Sequence, residues 1–170
     1  MKKIRNILCC GMVLGAMYSP GAFAQSSTAS GQQWLERGME MYQHENYVGA
    51  EDQFEHALQM RLSPKEAEMV NFYLAMSLYH RDCRVGVKYL SNFITTYPNS
   101  SYVPHAQATL GDYEFFHGRY VEALHEYNLC KIDGLDNNCH NDVLYRKGFC
   151  YLQTAEYRKA QSCFASIAGD

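Results

Sequence analysis

One pattern limits the folds open to this chain more than any other: similar side chains return every 36 or 37 residues. Tyr47, Cys83, Tyr120 and Tyr157 stand at steps of 36, 37 and 37. The small residues Ala50, Gly86, Ala123 and Ala160 keep those steps, as do Phe54, Leu90, Tyr127 and Phe164. So does the row Ala57, Phe93, Cys130 and Ile167. A fifth row, Gly38, Ala75, Gly111 and Gly148, runs 37, 36, 37, which locates a one-residue deletion near Arg81-Asp82-Cys83. A period in this range is the mark of stacked supersecondary units, none of which buries its apolar face alone.

Each unit reads as two helices. Trp34, Gly38, Met41 and Tyr42 share one helical face, His44-Glu45-Asn46 interrupts, and Ala50, Phe54, Ala57 and Leu58 continue at spacings of three and four. Paired helices approach closely where one side chain is small, so Gly38 is expected opposite Ala50, with Phe54 filling the space towards the next unit. Ser63-Pro64-Lys65-Glu66 carries a serine cap, a first-turn proline and a glutamate three after the serine. Tyr97-Pro98-Asn99-Ser100-Ser101 closes the second unit, and Asp136-Asn137-Asn138 marks the break before the fourth. The expected architecture is an all-α, α-α solenoid of about four helix-turn-helix repeats over residues 31–170, with units at about 31–62, 64–100, 103–136 and 140–170. Phe164 and Ile167 are left facing solvent where an open stack needs a polar cap. The repeat domain is therefore expected to be incomplete at its C-terminus, as a fragment, a truncated product or an end covered by another chain.

Residues 1–24 read as a leader outside the fold. Lys2, Lys3 and Arg5 precede twelve residues (7–18) of apolar character, Pro20-Gly21 breaks them, and Ala22-Phe23-Ala24 offers a cleavage site. Residues 25–30 follow as a flexible spacer. Cleavage leaves twelve basic and eighteen acidic residues, a net charge of −6, with no basic field for nucleic acid. It also leaves five cysteines, Cys83, Cys130, Cys139, Cys150 and Cys163, an odd number with no tight metal-ligand spacing. A Cys130–Cys139 bridge is one possibility in an oxidising compartment, and buried thiols at helix seams are another.

At Trp34 with Gly38, Ala50-Phe54, Leu110-Gly111 with Ala123-Tyr127, and Gly148-Tyr151 with Ala160-Phe164, the chain resembles the tetratricopeptide repeat family. The phrase at residues 93–124 is similar to the exported bacterial branch of that family. The second unit departs from the pattern with Ala75 and Gly86, only Pro98 matches the closing proline, and the step exceeds the usual ~34 residues. The resemblance implies a concave face, lined by the first helix of each unit, that grips peptides. Transferred row by row, its lining is Leu35, Met39 and Tyr42, then Phe72, Met76 and Tyr79, then His105, Asp112 and Phe115, then Tyr145, Phe149 and Leu152. Arg146 is the nearby cation, and no lysine and asparagine cluster for a peptide carboxylate is seen. Trp34, Ala50, Phe54, Tyr127 and Phe164 are assigned to structure alone.

The seven histidines form no metalloprotease pair, and neither a phosphate-cradling loop nor a nucleophile elbow is present. No catalytic residue, metal ligand or cofactor site is therefore expected. The expected function is a non-enzymatic interaction scaffold in the periplasm or cell envelope of a Gram-negative bacterium, binding apolar segments of a protein or peptide partner. The alternative is a structural fragment of a longer repeat array, or a module that self-associates through its open end. Neither nucleic acid nor a mature transmembrane segment is expected.

Overall fold

Small side chains at hairpin joints decide how the helices of this protein meet. The computed structural model describes residues 30–169, so the leader expected at 1–24 and the spacer up to 29 lie outside the described residues. Eight α-helices follow: α1 Ser30–Gln43, α2 Tyr47–Leu58, α3 Pro64–Arg81, α4 Cys83–Thr96, α5 Val103–Phe116, α6 Tyr120–Leu129, α7 Asn137–Gln153 and α8 Tyr157–Ala168. They pair into four hairpins, and each hairpin packs on the next through α2 on α3, α4 on α5 and α6 on α7. The chain is an all-α helical repeat solenoid, as its periodicity requires. Among the described residues, no helix is long and apolar enough to cross a membrane.

The glycine row meets the aromatic row of its own hairpin, which corrects the expectation that Gly38 faces Ala50. A Cβ on Gly38 would lie 2.5 Å from the Phe54 ring, and one on Gly148 would lie 2.8 Å from the ring of Phe164. Gly111 is overlain by Tyr127 in the same way. These partners are sixteen residues apart in sequence, one per helix of the pair. In the second hairpin the sizes change together: Ala75 and Leu90 sit in one buried cluster where the others have glycine and an aromatic. Phe54 also reaches the following hairpin, its ring 6.3 Å from that of Tyr73. Phe164 and Ile167, expected in open solvent, are half-buried; Phe164 packs back on Gly148 and on the Tyr145 ring at 5.9 Å.

The deletion has a structural counterpart. Three hairpin turns contain a left-handed residue: Glu45 at φ 57°, Gly118 at 71° and Ala155 at 61°. In each, the next N–H returns to the carbonyl five residues back, as Asn46 does to Met41, Arg119 to Glu114 and Glu156 to Tyr151. The second hairpin lacks this residue. Asp82, extended at φ −144°, ends α3 and starts α4 by itself, donating its N–H to Leu78 and accepting from Arg84 N–H at 3.0 Å. The shorter turn pulls α3 and α4 together until a Cβ on Gly86 would collide with the Tyr79 backbone. Gly86 thus replaces the alanine of the other units because backbone, unlike an aromatic ring, cannot move aside.

The caps obey ordinary chemistry. Ser63 N–H donates to the Glu66 carboxylate at 2.7 Å, while Ser63 Oγ accepts from Glu66 N–H at 3.3 Å. Asp136 caps α7 by accepting from Asn138 and Cys139 N–H at 3.1 and 3.0 Å. That cap starts α7 at Asn137, three residues before the expected unit boundary.

Three stability measurements test these joints and turns. Gly86→Ala should lose roughly 3 kcal/mol or more in urea unfolding, beyond the ~1–3 kcal/mol usual for overpacking, since backbone must shift. Gly118→Ala, with nothing within 4 Å of its Cβ, should lose only about 1–2 kcal/mol through its positive φ. Leu90→Phe alone should destabilise, and adding Ala75→Gly should recover part of the loss, a coupling of about 0.5–3 kcal/mol.

Candidate functional site

A groove crosses the first helices of all four hairpins. Its cavity, about 370 Å³, is lined by Tyr42 of α1, Phe72, Tyr73 and Met76 of α3, and His105, Ala108, Thr109 and Asp112 of α5. Leu135 and, from α7, Cys139, Asp142, Val143 and Arg146 close the far side. One wall is aromatic and continuous: Tyr42 meets Tyr73 edge-on with centroids 5.1 Å apart, and Phe72 stacks on Tyr102 at 4.6 Å. Burial pushes the Tyr42 hydroxyl up to about 12, so this wall stays neutral.

The opposite wall is polar and fixed. Arg146 donates through Nη1 to both Asp112 carboxylate oxygens at 3.0 and 3.1 Å, and through Nη2 to Asp142 at 3.3 Å. Tyr127 donates its hydroxyl to Asp112 Oδ1 at 2.6 Å from beneath. Arg146 also lies over the Phe116 ring at 5.7 Å. Tyr127 is therefore not structural alone: its ring covers Gly111 and its hydroxyl orients a groove residue. Burial raises the Asp112 carboxyl above its ordinary value, against the Tyr127 hydrogen bond and the Arg146 charge, which lower it. Two carboxylates, Asp112 and Asp142, share one guanidinium at this end of the groove, which is acidic.

The groove gathers five of the twelve residues expected on the concave face: Tyr42, Phe72, Met76, His105 and Asp112. Leu35 is enclosed in the core with Ala50, Phe54 and Val70, where no ligand reaches it. Met39 packs half-buried against that core, and Tyr79 against the next. Phe115 and Phe149 meet edge-on at 5.6 Å and seal the joint between the third and fourth hairpins. Tyr145 and Leu152 are 57% and 42% exposed, and neither lines the cavity. The sequence reading missed Tyr73, Ala108, Thr109, Leu135, Cys139, Asp142 and Val143, and took Arg146 only as a neighbour.

The misses share a cause. The groove touches the end of α1, the middle of α3, α5 from His105 to Asp112 and α7 from Cys139 to Arg146. It crosses the helices diagonally because each hairpin is rotated on the last, so one row cannot line it throughout. The spacing Cys139, Asp142 or Val143, Arg146 is one helical face and was the available signal. Cys83, Cys130, Cys139, Cys150 and Cys163 are unbridged, and Cys130 instead donates its thiol to the Pro104 carbonyl at 3.2 Å.

Comparison with known proteins agrees with the helical repeat fold. Residues 70–100, covering most of the second hairpin, match the family profile described as tetratricopeptide repeat. The fold is similar to that of YrrB, described as a TPR protein with an unusual peptide-binding site. The two share a TM-score of 0.57 and 19% identity over 82% of this chain and 68% of the other. No curated protein matches the sequence.

The pH dependence of stability separates the two influences on Asp112. A carboxyl protonated more easily in the fold than in the open chain contributes stability at low pH that fades as pH rises through its folded value. The stability of the parent relative to Asp112→Asn should therefore fall as pH rises above 3.8, the ordinary value. A difference that grows with pH would mean that Arg146 outweighs burial.

Proposed function

We propose that this protein is a non-enzymatic interaction scaffold that holds an extended segment of a protein partner in its groove. The observation that carries the reading is the pairing of a neutral aromatic wall with a pre-organised acidic wall across four hairpins. Such a cleft suits an apolar anchor side chain seated on Phe72, Tyr73 and Met76, flanked by lysine or arginine facing Asp142. Methionine lets the apolar side adapt to more than one anchor shape. The Arg146 bridge is already saturated by Asp112 and Asp142, which disfavours an acidic ligand. The helical repeat fold and the peptide-binding site described for YrrB support the same use. The basic start, apolar stretch and cleavage pattern of residues 1–24 support export to the bacterial envelope as the setting.

Fluorescence anisotropy with short labelled peptides tests this directly. Peptides with a leucine or phenylalanine anchor and basic flanks should bind at least about tenfold more tightly than the same anchors with glutamate flanks, a difference of ~1.4 kcal/mol. Met76→Arg should abolish that binding while leaving the helical circular dichroism intact. Equal affinity for both peptide sets, or binding unaffected by Met76→Arg, would overturn the assignment.

A further inference from the structure

At the groove the fold brings His105 to Asp136 and Cys139, which stand three residues apart at the start of α7. His105 stands in the first turn of α5, Asp136 is the cap of α7, and Cys139 lies in the first turn of α7. Each offers one ligand atom, and the three atoms lie within 4.8 Å of one another. His105 and Cys139 both line the groove. We propose that His105, Asp136 and Cys139 form a zinc site that joins the third and fourth hairpins and leaves one coordination position open to the groove.

Chemistry and geometry both favour zinc. A nitrogen, a carboxylate oxygen and a sulfur are its ordinary ligands, and three protein ligands plus an open position is a common arrangement for it. Thiolate and carboxylate together neutralise the 2+ charge. The His105 Nε2 to Asp136 Oδ2 separation is 3.7 Å, too long for a hydrogen bond and close to the ~3.4 Å between two ligands of one tetrahedral ion. His105 Nδ1 is enclosed and has no hydrogen-bond partner, while Nε2 faces Asp136 Oδ2 on the half-exposed side of the ring. Nε2, the nitrogen that faces the carboxylate, is the ring atom placed to bind a cation. Asp136 is already oriented: its Oδ1 accepts from the Asn138 and Cys139 N–H groups, which leaves Oδ2 free to bind metal. The ligands come from two hairpins, so bound metal would fix the angle between them and with it the width of the groove.

Cobalt and zinc titration of the full chain, reduced and metal-free, provides the test. Cobalt should give a thiolate-to-metal charge-transfer band and tetrahedral visible bands that saturate at one equivalent, and zinc should displace it. Cys139→Ser should remove the charge-transfer band, and His105→Ala should weaken zinc binding by on the order of tenfold or more. Asp136→Asn keeps the helix cap, since asparagine caps as well as aspartate, yet should weaken zinc comparably. Cys83→Ser should change nothing. A cobalt spectrum without a thiolate band, a band that survives Cys139→Ser, or zinc affinity indifferent to His105→Ala and Asp136→Asn would overturn the site. Because all readouts are metal-based, they are independent of whether any peptide enters the groove.

Discussion

The contact between a glycine on one helix and an aromatic ring on its hairpin partner is the constraint from which the rest of this structure follows. A bare backbone at Gly38, Gly111 and Gly148 lets Phe54, Tyr127 and Phe164 lie flat across the first helix. Fully burying such a ring is worth about 1.5–3 kcal/mol, and the close approach adds dispersion contacts that a Cβ would forbid. The joint tolerates a different solution provided that total volume is kept. Ala75 with Leu90 is that solution, and the tighter turn at Asp82 then demands Gly86.

Packing and site chemistry meet in one side chain. Tyr127 is fully buried as a core residue, yet its hydroxyl holds Asp112, and Asp112 holds Arg146. The polar wall of the groove is therefore anchored to the hydrophobic joint of the third hairpin and is rigid without a ligand. The aromatic wall is built differently, from edge and stacked contacts among Tyr42, Tyr73, Phe72 and Tyr102 that run from the first hairpin to the third. A fixed charged side facing a neutral side of ring edges and methionine gives the cleft direction as well as grip.

Much of the fold could be read directly. The deletion near Asp82, found as a single missing step between rows, is the missing left-handed residue of one turn, because a row offset can only be absorbed where backbone conformation changes. The groove was legible only in part. Tyr42, Phe72, Met76, His105 and Asp112 were found because their helices happen to present the transferred row at that depth. Tyr145, Phe149 and Leu152 were not gathered there, since rotation between successive hairpins had by then carried the groove towards the start of α7.

Side-chain size at a fixed separation is a local property, so the linear chain alone determined the number of hairpins, their helices and the shortened turn. The path of the groove, the second role of Tyr127, and the meeting of His105 with Asp136 and Cys139 were decided only in three dimensions. Each depends on the angle between neighbouring hairpins, which is the net result of many packing contacts and is written in no single row of residues.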